Sequence, residues 1–116
     1  MELAEAAYTQ QHVLTKLTYP DHQFTPWDEL VIIEQPEVQE VWRSMVGYLL
    51  AEARVDSRAL SLAEKMYKYH HELARMRFAG VLPDEYPAQP QVPWEATPQS
   101  IKMIWVSMVS YTLDHA

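Results

Sequence analysis

The sequence predicts an all-α fold, a small helical bundle of four main helices in a single domain over residues 1–116. Three observations predict it. The chain has two glycines, Gly47 and Gly80, and no asparagine, so the residues that adopt positive φ cheaply in hairpin turns are nearly missing. Apolar residues recur at steps of three and four over residues 38–53 and 59–76, the period of a helix with one buried face. Residues 101–113, IKMIWVSMVSYTL, place Ile101, Ile104, Trp105, Met108 and Tyr111 on one stripe, with Met103, Val106, Val109 and Leu113 filling much of the remaining circumference. Such a helix needs neighbours to enclose it, and we expect it to be a central post or half of a subunit interface. With about 13 residues it is too short to span a bilayer, which takes about 20.

Residues 2–17 read as the first helix. Leu3, Ala6 or Ala7, Leu14 and Leu17 fall near one face, and Glu2 and Glu5 suit its positive end. Tyr19, Pro20, Asp21 and His22 break it. A short helix is expected near 26–34, with Thr25 as cap, Pro26 at the first position and Asp28 reaching back. Its Val31, Ile32 and Ile33 are β-branched and equally suit a brief extended piece. Residues 37–55 form the next helix, with Val38, Val41 or Trp42, Met45, Leu49 and Glu52 or Ala53 recurring, Glu37 and Glu40 opening it and Arg54 closing it. Gly47 inside it costs about 1 kcal/mol against Ala, which a close helix crossing would explain. Residues 57–79 are the most regular stretch, through Ala59, Leu62, Met66, Tyr69, Leu73 and Met76, with Gly80 and Pro83 as stop signals. The two stretches together predict a helical hairpin. Residues 81–97 carry Pro83, Pro87, Pro90 and Pro93 and read as an extended strap. Thr97 and Pro98 open the last helix, 98–114.

Composition narrows the function classes. The absence of cysteine removes disulfides, thiolate nucleophiles and thiolate metal sites. Two isolated glycines exclude phosphate-cradling loops and dinucleotide fingerprints, which need glycines in clusters. The net charge of -7 disfavours direct binding to nucleic acid or anionic lipid. That charge is uneven. Glu2, Glu5, Asp21, Asp28, Glu29, Glu34, Glu37 and Glu40 stand against Lys16 alone in residues 1–40, whereas 41–82 are net basic. Attraction between the ends and the middle of one fold is the simple expectation. The N-terminus carries no basic leader or apolar core, so a cytoplasmic location is expected.

His70, His71 and Glu72 are the one dense group of ligand-type side chains. Adjacent helical positions diverge by about 100°, so the three cannot chelate one ion together. His71 and Glu72 begin an HExxH pattern that fails at Arg75. A metal would need Glu37, Glu40, His12 or another remote partner. Glu37 and Glu40 form an ExxE of the kind that helical nucleotide pyrophosphohydrolases pair with a later ExxD. The later acids here, Glu52 and Asp56, are one residue too far apart, and placement at a helix N-terminus explains the first pair without metal. Arg58, Lys65, Lys68 and Arg75 are interleaved with Glu64 and Glu72, as on a solvated helix face laced by pairs such as Glu64–Lys68. Pro87, Pro90 and Pro93 share one edge of a polyproline II strap whose Tyr86, Val92 and Trp94 either peg it to the bundle or, turned outward, meet a partner.

From these residues we expect a small acidic, non-enzymatic protein-binding domain without a cofactor, in the style of inhibitors, antitoxins, immunity proteins and phage accessory proteins. Its partner surface is expected at Asp21, Asp28, Glu29, Glu34, Glu37, Glu40, Tyr86 and Trp94. A nucleic-acid-binding protein would offer these acids a basic groove. Two alternatives stand beside it: a metal-dependent helical hydrolase using His70, His71, Glu37 and Glu40, and an assembly protein that forms a homodimer through Ile101, Ile104, Trp105, Met108 and Tyr111.

Overall fold

The computed structural model describes residues 2–78 and 92–116, and among them there are four α-helices and no strand. These are α1 (Leu3–Thr18), α2 (Pro36–Ala53), α3 (Ala59–Phe78) and α4 (Gln99–Asp114). Single 3-10 turns lie at Trp27–Glu29 and Trp94–Ala96. The bundle is all-α, as the glycine and asparagine counts require.

Each helix packs on two others: α1 on α2 and α4, and α3 on α2 and α4. α2 and α3 form the expected antiparallel hairpin. Glu52 pairs with Lys65 near the turn, and Trp42 meets His70 further along. Met45, Met66, Met108 and Leu62 have no exposure at all and come from three different helices. The indoles of Trp42 and Trp105 lie parallel with centroids 6.4 Å apart, joining α2 to α4 across the core.

This ring-like arrangement corrects the central post. α4 buries Ile104, Trp105, Met108, Val109 and Thr112 against its two neighbours, while Met103 is 50% exposed and Ser110 faces water. Two flanking helices cover about two sides of a cylinder, so the weakly polar fourth side stays wet. The core belongs to all four helices equally. α1 also departs from expectation. It buries Ala4, Ala6, Ala7 and Tyr8, while Leu17 is 75% exposed and Leu14 half-buried. Small alanines let the neighbouring helices come close at its first two turns, and Tyr8 supplies the bulk.

Several termini use different chemistry from that expected. Pro36, one residue before the expected start at 37, opens α2 at its first turn, where a missing N–H costs nothing. Thr97 does not cap α4: its hydroxyl donates to the Pro93 carbonyl at 2.9 Å, and Pro98 holds the cap position. Gly47 lies exposed on α2 with no atom within 4 Å of where a Cβ would stand, so no helix crossing explains it. The expected strap at 81–97 falls mostly outside the described residues. Its described end is fastened by Trp94, buried against Tyr67 and Lys102, and by Tyr67, whose hydroxyl donates to the Val92 carbonyl.

Candidate protein-binding surface

Residues 25–37 join α1 to α2, and their construction explains where the acids go. Trp27 and Leu30 are apolar and three apart, so a single tight turn buries both. Three bonds and contacts pin that turn from outside. The Tyr8 hydroxyl donates to the Thr25 carbonyl, Gln39 Nε2 donates to the Trp27 carbonyl at 2.9 Å, and the Arg43 guanidinium lies 5.6 Å over the Trp27 ring. The expected helix to residue 34 does not form. The α-helical register is held only briefly, by Ile33 N–H to Glu29 carbonyl, because Val31, Ile32 and Ile33 are poor helix formers and have no neighbour to pack on.

The segment closes instead in a Schellman turn. The Gln35 N–H donates to the Leu30 carbonyl at 2.8 Å and the Glu34 N–H to the Val31 carbonyl at 3.1 Å. Glu34 takes the left-handed position with φ of 61°, where glycine is usual. Pro36 then starts α2. With Trp27 and Leu30 facing inward, Asp28, Glu29, Glu34 and Glu37 all point to water, as do Asp21 and Glu40 on either side.

The remaining charges are spent differently. Arg43 binds Glu2, Arg58 binds Asp56, Lys65 binds Glu52, Lys68 binds Glu64 and Arg75 binds Glu72, at 2.5–3.1 Å. The Arg43 guanidinium holds the Glu2 carboxyl below its ordinary value, and Arg58 does the same to Asp56. Arg58, Lys65, Lys68 and Arg75 are therefore paired within the α2–α3 hairpin, and among these five pairs only that of Arg43 reaches an acid of the first 40 residues. Among the described residues, none of these ion pairs includes Asp21, Asp28, Glu29, Glu34 or Glu37. The expected attraction between the acidic end and the basic middle is carried by Arg43, which binds Glu2 and is also attracted by Glu40.

The other candidate residues sort clearly. Trp94 is buried and leaves the partner surface, since its indole is the peg of the strap; Tyr86 lies outside the described residues. Ile104, Trp105 and Met108 are core, and Ile101 and Tyr111 are half-buried, so the α4 stripe is spent inside one copy of the chain. His70 is buried between Trp42 and Trp105, with centroids at 5.2 and 5.5 Å, and burial pushes its pKa down to about 3. His71 is half-buried against Tyr67 and lowered for the same reason. Glu37 and Glu40 are exposed on the first turns of α2. Among the described residues no group of three His, Asp or Glu side chains is placed to hold a metal. A shallow concavity of about 310 Å³ lies beside Arg58, Leu60, Ser61, Glu64 and Lys65, and its three charged side chains are already engaged in ion pairs.

No protein-family model, curated protein or solved structure matches this chain. No helix among the described residues is long and apolar enough to cross a membrane. What the surface can do has to follow from its own charge and shape.

One pairing went unread in the sequence. His12 Nδ1 and His22 Nε2 are 3.0 Å apart, their rings parallel and stacked with Phe24, which fastens the 19–26 segment to α1. Burial pushes the His12 pKa down to about 3, with the neighbouring His22 adding to it. The ten-residue separation across a proline break carries no periodic signal, so only the folded chain reveals it.

Proposed function

We propose that the chain is a small acidic protein-binding domain that acts by occupying a basic surface on a protein partner, in the manner of inhibitors, antitoxins, immunity proteins and phage accessory proteins. The observation that carries the proposal is the contrast in charge use. The fold pairs Arg58, Lys65, Lys68 and Arg75 with acids but leaves Asp28, Glu29, Glu34 and Glu37 facing water on a segment held by buried Trp27, Leu30 and Gln39. Uncompensated like charge on a rigid element opposes folding slightly and steers an oppositely charged partner. A basic groove on a nucleic-acid-binding protein is the chemistry that this row of carboxylates fits.

The test is capture from a lysate of the native host by immobilised wild-type chain and by a D28N/E29Q/E34Q/E37Q variant, over rising salt. Partners held by this surface are lost steeply between low and high ionic strength and are absent from the variant. Capture that ignores both salt and the four substitutions would rule the acidic surface out.

A further inference from the structure

The exposed acids flank an apolar segment in the chain. Val31, Ile32 and Ile33 are 57, 77 and 47% exposed, and they are the one run of three consecutive exposed aliphatics among the described residues. A turn whose only task is to join two elements ordinarily carries glycine or asparagine at its left-handed position and polar residues at its crest. This turn carries a glutamate at φ 61° and three β-branched aliphatics. Branching at Cβ leaves few rotamers to lose, so such side chains dock at low entropic cost. The backbone beneath them is set by the two Schellman bonds and by Gln39 on Trp27.

We propose that Ile32, flanked by Val31 and Ile33, is the apolar anchor of the partner contact. The partner is a protein that offers an apolar socket rimmed by lysine or arginine. The inference rests on the acidic-surface reading and adds the residue that enters the partner. Charge decides between occupants. A second copy meeting by the same face would set Asp28, Glu29, Glu34 and Glu37 against their own counterparts. Arg58, Lys65 and Lys68 offer a second copy little attraction, because Asp56, Glu52 and Glu64 already offset their charge. Anionic lipid and nucleic acid are repelled by the same four acids. A cationic rim around an apolar pocket matches both features at once.

The probe is a synthetic amphipathic helical peptide with leucine on one face and lysine at its edges, beside a peptide of the same composition in scrambled order. Both are titrated against the full chain, with the amide signals of residues 28–37 followed. The amphipathic peptide should bind about tenfold tighter than the scrambled one, and Ile32→Ser should remove most of that difference. Val55→Ser removes an aliphatic that is 84% exposed but distant in sequence from the acids, and should change nothing. Ile32 is exposed, so its loss leaves the fold intact, and a circular dichroism spectrum confirms that.

Binding by Ile32→Ser equal to wild type, or an equal loss in Val55→Ser, overturns the anchor. If Ile32→Ser binds normally while the four-acid variant does not, the anchor falls and the acidic-surface reading survives. If both variants bind as wild type does, both fall. Copy-to-copy cross-links through a photoreactive side chain at position 32 would also overturn it.

Discussion

Acid should destabilise this protein before its carboxylates titrate. His12 and His70 have folded pKa values pushed down to about 3 from an ordinary 6.5, chiefly by burial. The sign follows from linkage. Below 6.5 the unfolded chain takes up protons that the folded chain refuses, so stability is complete above 6.5 and drains as pH falls toward 3. One such histidine costs about 2 kcal/mol at pH 5, and two cost about 4. His70, enclosed by Trp42 and Trp105, should carry its full share. His12 is half-buried and bonded to His22, so its share is smaller. A domain of this size holds about 5–15 kcal/mol in total, so the loss is a large fraction of it. The lowered carboxyls of Glu2 and Asp56 matter only below pH 4.5, which leaves pH 5 to 6.5 to the histidines. Urea unfolding followed by tryptophan fluorescence at pH 7, 6 and 5 measures the slope. His70→Phe, which keeps an aromatic ring between the two indoles, should lower that slope by about 1 kcal/mol per pH unit between about pH 7 and 5. A urea midpoint unchanged from pH 7 to 5, or a His70→Phe slope equal to wild type, would refute the argument.

Other substitutions test the packing. Gly47→Ala should stabilise by about 1 kcal/mol, because the position is helical, exposed and open; a lowered melting temperature would show a contact the fold does not contain. Glu34→Gly should raise the urea midpoint, gaining up to about 1 kcal/mol from relief of the left-handed backbone, whereas Glu34→Val should lower it. Gln39→Leu strips the Trp27 carbonyl of its buried donor, so a loss of about 1–3 kcal/mol is expected, with faster amide exchange at residues 27–35 as the local sign. Trp42→Ala removes a side chain that meets Tyr8, His70 and Trp105 on three other helices, and should cost about 3–5 kcal/mol by thermal melting.

The candidate surface was only half legible. Every acid of residues 21–40 could be counted, but counting does not say which acids the fold consumes. The expected docking of the basic face on the acidic N-terminus came down to Arg43 with Glu2, because Lys68 and Arg75 find acids one turn away on their own helix. An acid one turn away on the same helix is already within reach once the helix forms. Val31, Ile32 and Ile33 could be read as helix or strand, yet they are neither. The left-handed turn at Glu34 follows from no residue preference, since glutamate disfavours it, and arises because Leu30 and Pro36 are held in place from either side.

Sequence by itself determined the class and the four main helices. Scarce glycine and absent asparagine disfavoured β-hairpins, and steps of three and four in residues 37–55 and 57–79 made the two central helices, whose Met45, Leu49, Leu62 and Met66 are indeed core. Those are local properties, set by backbone freedom and by which side of one cylinder is apolar. Tertiary structure decided how many sides of each cylinder are covered. A helix between two neighbours needs two adjacent buried rows, so α3 buries Ala63, Tyr67 and His70 beside its predicted stripe and leaves Met76 exposed. The same count of neighbours gave α4 a wet side at Met103 and Ser110. It also set the parallel stack of His12 and His22, since the partners of a side chain depend on which helices meet, and no periodicity along one chain encodes that.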